Sequence, residues 1–171
     1  MGGVMVIRRA CGRDAERLTE LVRGSGAYRG AYAPMVEGYR VTADYIARHR
    51  VFLAEGEGEG AAPVGSADPA AVLGFYALLA DAAELDLMFV ADAAQGTGLG
   101  RRLVAHMKEE ARAAGLRSVR VVSHPPAEGF YRRVGARRVG TVPAAPPRAT
   151  WERPEMVFPI PAPVRPQAAG C

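Results

Sequence analysis

The sequence has few cysteines, no long apolar run and no clustered metal ligands. Its two cysteines, Cys11 and Cys171, lie at opposite ends of the 171 residues, so they suggest neither a disulfide framework nor a metal site. No uncharged stretch approaches the roughly 18 apolar residues that a membrane span needs. The first ten residues, MGGVMVIRRA, lack the basic head and apolar core of a secretion signal. We therefore expect a cytoplasmic protein with no metal and no membrane partner.

Positive charge is concentrated in one part of the chain. Between residues 100 and 140, ten arginines and lysines stand against three glutamates, a local charge of +7, whereas the whole chain carries +4. Such an excess favours an anionic partner, either a nucleic acid or a phosphorylated small molecule. Few aromatic residues are interleaved with these arginines, so a nucleic-acid partner is not expected.

The pattern of apolar and turn residues predicts a single α/β domain over residues 1–160. Strands are predicted at 4–8, 51–55, 72–79, 84–90, 118–123, 137–141 and 156–160. Helices are predicted at 13–23, 27–35, 42–48, 99–114 and 127–134. Strands and helices mixed at this density predict one sheet covered on both faces. A Gly/Ala/Pro loop over 56–70 and a disordered, proline-rich tail over 161–171 complete the prediction.

The helix predicted from residue 99 has the clearest boundaries and the clearest apolar face. Its apolar face repeats every fourth residue, and Gly115 supplies a stop. The residues of that face are Leu99, Leu103, Met107 and Ala111. For the shorter helix at 42–48, Thr42 is the predicted N-cap.

Three alternating glycines, Gly96, Gly98 and Gly100, stand between a predicted strand and this helix, in the stretch AAQGTGLGRRL. A helix N-terminus has unpaired N–H groups and the positive end of the helix dipole, and glycines let an anion approach them closely. A Walker A loop would need Lys and Ser or Thr after Gly100, where the sequence has two arginines. A dinucleotide fingerprint starting at Gly96 would need glycine at Arg101. Neither ATP nor NAD is therefore favoured.

Gln95-Gly96-Thr97-Gly98-Leu99-Gly100 resembles the Q/R-x-x-G-x-G/A signature of the GNAT superfamily of CoA-dependent N-acetyltransferases. After one predicted helix and one predicted strand, AEGFYRRVGA (127–136) resembles the A-x-x-F-Y-x-x-x-G-F/A signature of the same family. The resemblance is close over 84–140 and looser before 83. It implies the GNAT fold: a single mixed, mostly antiparallel sheet of six or seven strands, with helices on both faces and a cleft where strands 4 and 5 splay apart.

The resemblance also implies acetyl-CoA as co-substrate, with the CoA pyrophosphate held by N–H groups of the glycine loop. The N–H groups of Phe89 and Val90 would pair with pantetheine and polarise the thioester carbonyl. Ser123 stands near the position where many family members hold the pantetheine arm with an asparagine, which is a departure from the pattern. The residues implied to bind the cofactor are Met88, Phe89, Val90, Gln95, Gly96, Thr97, Gly98, Leu99, Gly100, Arg101, Ser123 and Phe130.

Acetyl transfer to an amine needs a base, because an ammonium has no lone pair. For an amine of pKa ~10.4, reaching the free base at pH 7 costs about 4–5 kcal/mol. In family members that use a strand glutamate as base, it lies eleven residues before the first signature, where this sequence has Glu84. Asp86 is second, since strand alternation places both carboxylates on one face; His124 and an ordered water are alternatives. Tyr131 resembles the family tyrosine that protonates the departing thiolate.

The acceptor is predicted to be the amine of a small molecule. Tyr28 and Tyr32, one helical turn apart in the predicted helix, either line its pocket or pack in the core. Two other functions stay open: acetylation of a protein lysine or N-terminus, and non-catalytic binding of acyl-CoA. Dimers are common in the resembled family, and a homodimer is therefore one outcome that the sequence leaves open.

Overall fold

Seven strands form one twisted sheet within the residues that the structure, a computed structural model, describes: 5–56 and 70–163. The strands are β1 (Val6–Arg9), β2 (Arg50–Gly56), β3 (Ala71–Leu79), β4 (Glu84–Val90), β5 (Ser118–Val122), β6 (Arg137–Val142) and β7 (Arg153–Pro159). Their order across the sheet is β1-β2-β3-β4-β5-β7-β6. All neighbours are antiparallel except β4 and β5, which are parallel. The predicted mixed sheet is confirmed.

In the described part of the chain, four α-helices flank the sheet: α1 (Ala15–Arg23), α2 (Ala43–Arg48), α3 (Leu99–Ala113) and α4 (Glu128–Arg133). Thr42 caps α2 as predicted, because its hydroxyl accepts a hydrogen bond from the N–H of Tyr45 at 3.1 Å. None of the helices in the described ranges has the length and hydrophobicity to cross a bilayer.

The helix predicted over 27–35 is wrong. This segment forms two short 3-10 helices, Gly26–Tyr28 and Gly30–Met35. Gly30 takes a left-handed backbone conformation (φ 61°), which breaks the α-helical path. Pro34 has no N–H to donate and further prevents a regular α-helix.

The helices cover both faces of the sheet, with one apolar cluster on each side. The predicted face of α3 is buried, from Leu99 to Ala111, and packs with Met156 and Phe158 of β7. Leu18 and Val22 of α1 pack on the opposite face with Phe75 and Phe89. Each such apolar side chain contributes about 1.5–3 kcal/mol when fully buried. Gly115 follows α3 with φ 78°, the expected left-handed stop.

Two irregularities of the sheet shape its centre. The parallel pair β4–β5 is joined at a single position, Glu84 opposite Arg120, and beyond it the two strands separate. In the β3–β4 pair the register shifts, so that Asp86 has no partner on β3. Most of the predicted loop over 56–70 and of the predicted tail over 161–171 lies outside the described residues.

Candidate active site

A cleft of about 750 Å³ opens where β4 and β5 separate. Its walls come from β4, the turn before α3, α4 and the first 3-10 segment. Most residues predicted for the site line it: Tyr28, Glu84, Asp86, Met88, Phe89, Val90, Gln95, Gly96, Gly98, Leu99, Gly100, Arg101, Phe130 and Tyr131. Thr97, Ser123 and Tyr32 are predicted site residues that do not line it. The two sequence signatures thus meet in one cavity.

The turn before α3 presents a row of backbone donors. From Gly96 to Arg101, none of the six N–H groups donates a hydrogen bond to another described residue. The first three belong to the turn and the last three to the first turn of α3, where no intrahelical acceptor exists. The helix dipole adds partial positive charge at the same place. This turn can hold an anionic group such as a diphosphate.

The three glycines of this turn have two different structural reasons. Gly96 (φ 76°) and Gly98 (φ 84°) adopt left-handed conformations, and the space beside both is open. A Cβ at Gly100 would instead lie 3.1 Å from Cζ of Phe130, so the absence of a side chain there lets the ring of the second signature pack closely against α3.

The ladder between β3 and β4 decides which backbone groups face the cleft. The N–H of Ala91 donates to the carbonyl of Leu73 at 2.8 Å. Because alternate residues of an antiparallel strand bond to the same neighbour, the N–H of Phe89 points towards β3. Those of Met88 and Val90 point towards the opening. The ladder therefore favours Val90 over Phe89 as a donor into the cleft, whereas Phe89 contributes its ring.

Each of the two carboxylates predicted as the base accepts a hydrogen bond through only one of its two oxygens. Oε2 of Glu84 accepts a hydrogen bond from Arg120 at 2.9 Å, and Nε of Arg120 donates to Glu155 at 2.6 Å. Oδ2 of Asp86 accepts one from the hydroxyl of Tyr45 at 2.5 Å. Burial, together with this carboxylate, raises the pKa of Tyr45. The second oxygens, Oε1 of Glu84 and Oδ1 of Asp86, accept no hydrogen bond from the described residues.

Tyr131 lies deep in the cleft, with 7% of its surface exposed. Burial, and to a lesser degree the nearby Tyr28, raises the pKa of Tyr131, so its hydroxyl stays protonated at neutral pH. Burial also raises the pKa of Tyr28 to about 12. The hydroxyl of Tyr131 bonds to no other group in the described ranges and can donate its proton to a ligand.

A row of aromatic rings closes one side of the cleft. Tyr28 lies 5.4 Å from Phe89 and stacks on His124 at 4.3 Å between ring centroids. The ring of Tyr32 meets the same His124 edge-on, with 4.3 Å between centroids. The ring of Trp151 in turn meets Tyr32 edge-on, with 4.6 Å between centroids. Tyr32 therefore supports His124 from behind, whereas Tyr28 faces the cavity.

His124 and Ser123 lie next to each other but differ in environment. His124 lines the cleft with 7% of its surface exposed, and burial lowers the pKa of its imidazole. The hydroxyl of Ser123 is fully buried and donates to the carbonyl of His124 at 2.7 Å. The predicted contact of Ser123 with pantetheine stays a prediction.

Arg153 is a cleft residue that no sequence signal identified, because it lies outside both signatures. It enters the cleft only because β7 pairs with β5 out of sequence order. Among residues 5–56 and 70–163, no group of three or more His, Cys, Asp or Glu side chains is arranged to hold a metal ion.

Solved structures share this fold at low sequence identity. The protein yncA of Salmonella typhimurium, solved with its cofactor acetyl-CoA, is 18% identical over 96% of this chain and 99% of its own, with a TM-score of 0.66. The ribosomal-protein-S18-alanine N-acetyltransferase of Escherichia coli is 14% identical over 98% and 100%, with a TM-score of 0.64. Nourseothricin acetyltransferase is 24% identical over 67% of this chain, with a TM-score of 0.52, and this chain covers 66% of it.

Sequence comparison assigns the family. No curated protein sequence matches the chain. A family model described as "Acetyltransferase (GNAT) domain" matches residues 40–143, which include β4, α3, β5 and both signatures. With its seven-stranded sheet, its separated β4–β5 pair and its glycine turn, this chain belongs to the GNAT acetyltransferase family.

Proposed function

We propose that this enzyme transfers an acetyl group directly from acetyl-CoA to the primary amine of a small molecule. The observation that carries the proposal is the row of six N–H groups at the start of α3 that have no partner among the described residues. They lie beside a cleft that contains the protonated hydroxyl of Tyr131. The first feature suits a diphosphate and the second suits a leaving group that needs a proton.

The residues of the cleft fit acetyl-CoA. The N–H groups from Gly96 to Arg101 would hold the pyrophosphate, and the side chain of Arg101 adds positive charge at the same edge. Val90, whose N–H points into the opening, would hold the pantetheine arm or the thioester carbonyl. When bound there, acetyl-CoA supplies an acetyl group that is already activated as a thioester.

The chain's own groups would move two protons. Glu84 is the proposed acceptor of the ammonium proton, with Asp86 second, since both line the cleft and each keeps one oxygen without a partner in the described structure. Tyr131 is the proposed donor to the departing thiolate, because an unprotonated sulfur is costly in a site this dry. A positioned acid or base of this kind typically contributes about 10²–10⁴ in rate.

A small acceptor is favoured by the closed side of the cleft. Tyr28, Met35, Val36 and Tyr39, from the 3-10 segments and the loop that follows, line the cavity there. These side chains would limit the access of a folded protein. Acetylation of a protein, as the name of the E. coli neighbour describes for that enzyme, is the alternative. A cytoplasmic location and a homodimer stay predictions.

The test is a panel of amines with release of CoA thiol as the readout, run beside calorimetric binding of acetyl-CoA. The panel includes amino acids, polyamines, aminoglycosides and lysine peptides. We expect acetyl-CoA binding and thiol release with a small amine. No binding at millimolar acetyl-CoA would overturn the proposal, and normal binding without turnover on any amine would favour a non-catalytic acyl-CoA module. Turnover on peptides alone would select the protein acceptor.

A further inference from the structure

Resting on the proposed acetyl transfer, we propose that the acceptor is an amine that also carries a carboxylate, and that Arg153 and His124 bind this carboxylate. Such an acceptor belongs to the class of amino acids and their close analogues. Both residues line the cleft, and nothing in the two family signatures assigns them a role.

Arg153 is a half-buried arginine without a counter-ion. Its guanidinium forms no hydrogen bond or ion pair with any described residue, and its Nε is fully enclosed. The other half-buried arginines of the described ranges each pair with a carboxylate; they are Arg8, Arg17, Arg50, Arg112 and Arg120. Keeping a charge partly out of water without a partner is unfavourable, so Arg153 is arranged to receive an anion. A guanidinium can hold a carboxylate through two parallel hydrogen bonds, which here would come from the two Nη groups because Nε is enclosed.

His124 lines the same cleft as Arg153, just beyond the end of β5. The N–H of Ser123 donates to the carbonyl of Pro154 at 2.8 Å, which extends the β5–β7 register by one pair beyond Val122. Extended by one more residue, the same register places His124 opposite Arg153. The imidazole is more than nine-tenths buried, and its Nε2 is enclosed without a hydrogen-bond partner among the described residues. Tyr28 stacks on this ring and Tyr32 meets it edge-on, so the position of the ring is set before a ligand arrives.

Arg153 lies on the face of the sheet opposite the glycine turn. Met156 and Phe158 of β7 pack in the cluster that contains α3. Because side chains alternate along a strand, Arg153 points to the other face, where α1 and the 3-10 segments lie. The cofactor signatures are on α3 and α4. This separation favours a carboxylate of the acceptor over a phosphate of CoA.

The charges of the acceptor side are divided between its two walls. Glu84 and Asp86 lie on β4, and the positive charge of Arg153 lies on β7. The imidazole of His124, whose pKa burial lowers, lies after β5 and can add a hydrogen-bond donor but no charge at neutral pH. A molecule with an ammonium at one end and a carboxylate at the other would meet an opposite charge at each end. This arrangement orients the amine towards β4, where the proposed base lies.

The experiment compares amino acids with their amides, which keep the amine and the side chain but lack the negative charge. We expect the wild-type enzyme to prefer the acid, and Arg153→Gln to lower kcat/KM for the acid by about 10- to 100-fold while leaving the amide unchanged. Arg153→Lys should recover part of the loss. Arg117→Gln, at an exposed arginine outside the cleft, is the matched control and should change neither substrate.

A second measurement separates the carboxylate from a cofactor phosphate. Calorimetry should give the same affinity of Arg153→Gln and wild type for acetyl-CoA, and a loss of N-acetyl-amino-acid binding in the variant only. Equal loss for acid and amide, weaker acetyl-CoA binding by the variant, or a wild type that does not distinguish acid from amide would each overturn this inference. Absence of acetyl-CoA binding in the wild type would instead overturn the proposed function itself.

Discussion

Two substitutions of Gly98 distinguish the effect of backbone strain in the glycine turn from the effect of a negative charge placed there. Gly98 is the N-cap of α3 with φ 84°, and no atom lies within 4 Å of a Cβ built there. Gly98→Ala should therefore cost only the left-handed strain, about 1–2 kcal/mol. For a domain of this size, that corresponds to a lower Tm by roughly 2–8 °C.

Gly98→Glu adds a negative charge at the place proposed for the diphosphate. Two unit charges about 4 Å apart repel by about 1 kcal/mol in water and about 4 kcal/mol at an effective dielectric constant of 20. We therefore expect acetyl-CoA binding about 10- to 1000-fold weaker than that of Gly98→Ala. A carboxylate at a helix N-terminus is itself favourable by about 0.3–1 kcal/mol, so the Glu variant should be at least as stable as the Ala variant.

The two variants are compared by calorimetry with acetyl-CoA and by thermal unfolding without it. The Gly98→Glu variant should be at least as stable to unfolding as Gly98→Ala, but it should bind acetyl-CoA much more weakly. Affinities within threefold of each other would refute the assignment of the diphosphate to this turn. Salt should reduce the difference between them, because screening weakens the repulsion.

Three further predictions follow from the titratable groups. Tyr131→Phe should lower kcat by about 100-fold without changing acetyl-CoA affinity. Because burial raises the pKa of Tyr131, its ionisation should not reduce wild-type activity below pH 10. A loss of activity below that pH in the wild type, absent from the Phe variant, would contradict this. Glu84→Gln should lower kcat about 100-fold, and more than Asp86→Asn does; the reverse order in steady-state kinetics would transfer the role of base to Asp86. Asp14→Asn should destabilise the fold by about 3 kcal/mol in urea unfolding, because Asp14 is 1% exposed and pairs with Arg8 at 2.9 Å. Since Arg8 lowers the pKa of Asp14, its stabilisation is present above pH ~4 and is lost as the pH falls, so the variant should show a flatter acid profile; an unchanged profile would argue against the ion pair.

Local signals in the sequence predicted much of the fold. The four-residue apolar repeat of α3 and its glycine stop were confirmed, because a helix face and a left-handed turn depend on neighbours only a few residues away. The helix predicted over 27–35 was wrong, and here too residues close in sequence decided the conformation. Its residue pattern resembled that of a helix, but the left-handed conformation of Gly30 and the missing N–H of Pro34 prevent a regular α-helix.

The site was predictable where it coincided with a signature. Gln95 to Arg101 and Tyr131 were identified from short motifs, and all but Thr97 of these residues line the cleft. Pairing of Glu84 with Arg120 and of Asp86 with Tyr45 was not predictable, because these contacts join residues 36 and 41 positions apart. No feature of the sequence predicts the shift in β3–β4 register that leaves Asp86 without a partner on β3.

The sequence alone indicated the family, through the resemblance of its two signatures. It also determined the glycine turn and the apolar faces of the helices, since these follow from backbone sterics and from periodicity over a few residues. Only the tertiary structure decided that β4 and β5 separate after one paired position. It also decided that β7 inserts beside β5, which brings Arg153 into the same cleft as His124. Strand order depends on pairing between distant segments, and no local pattern specifies which distant strand will be the neighbour.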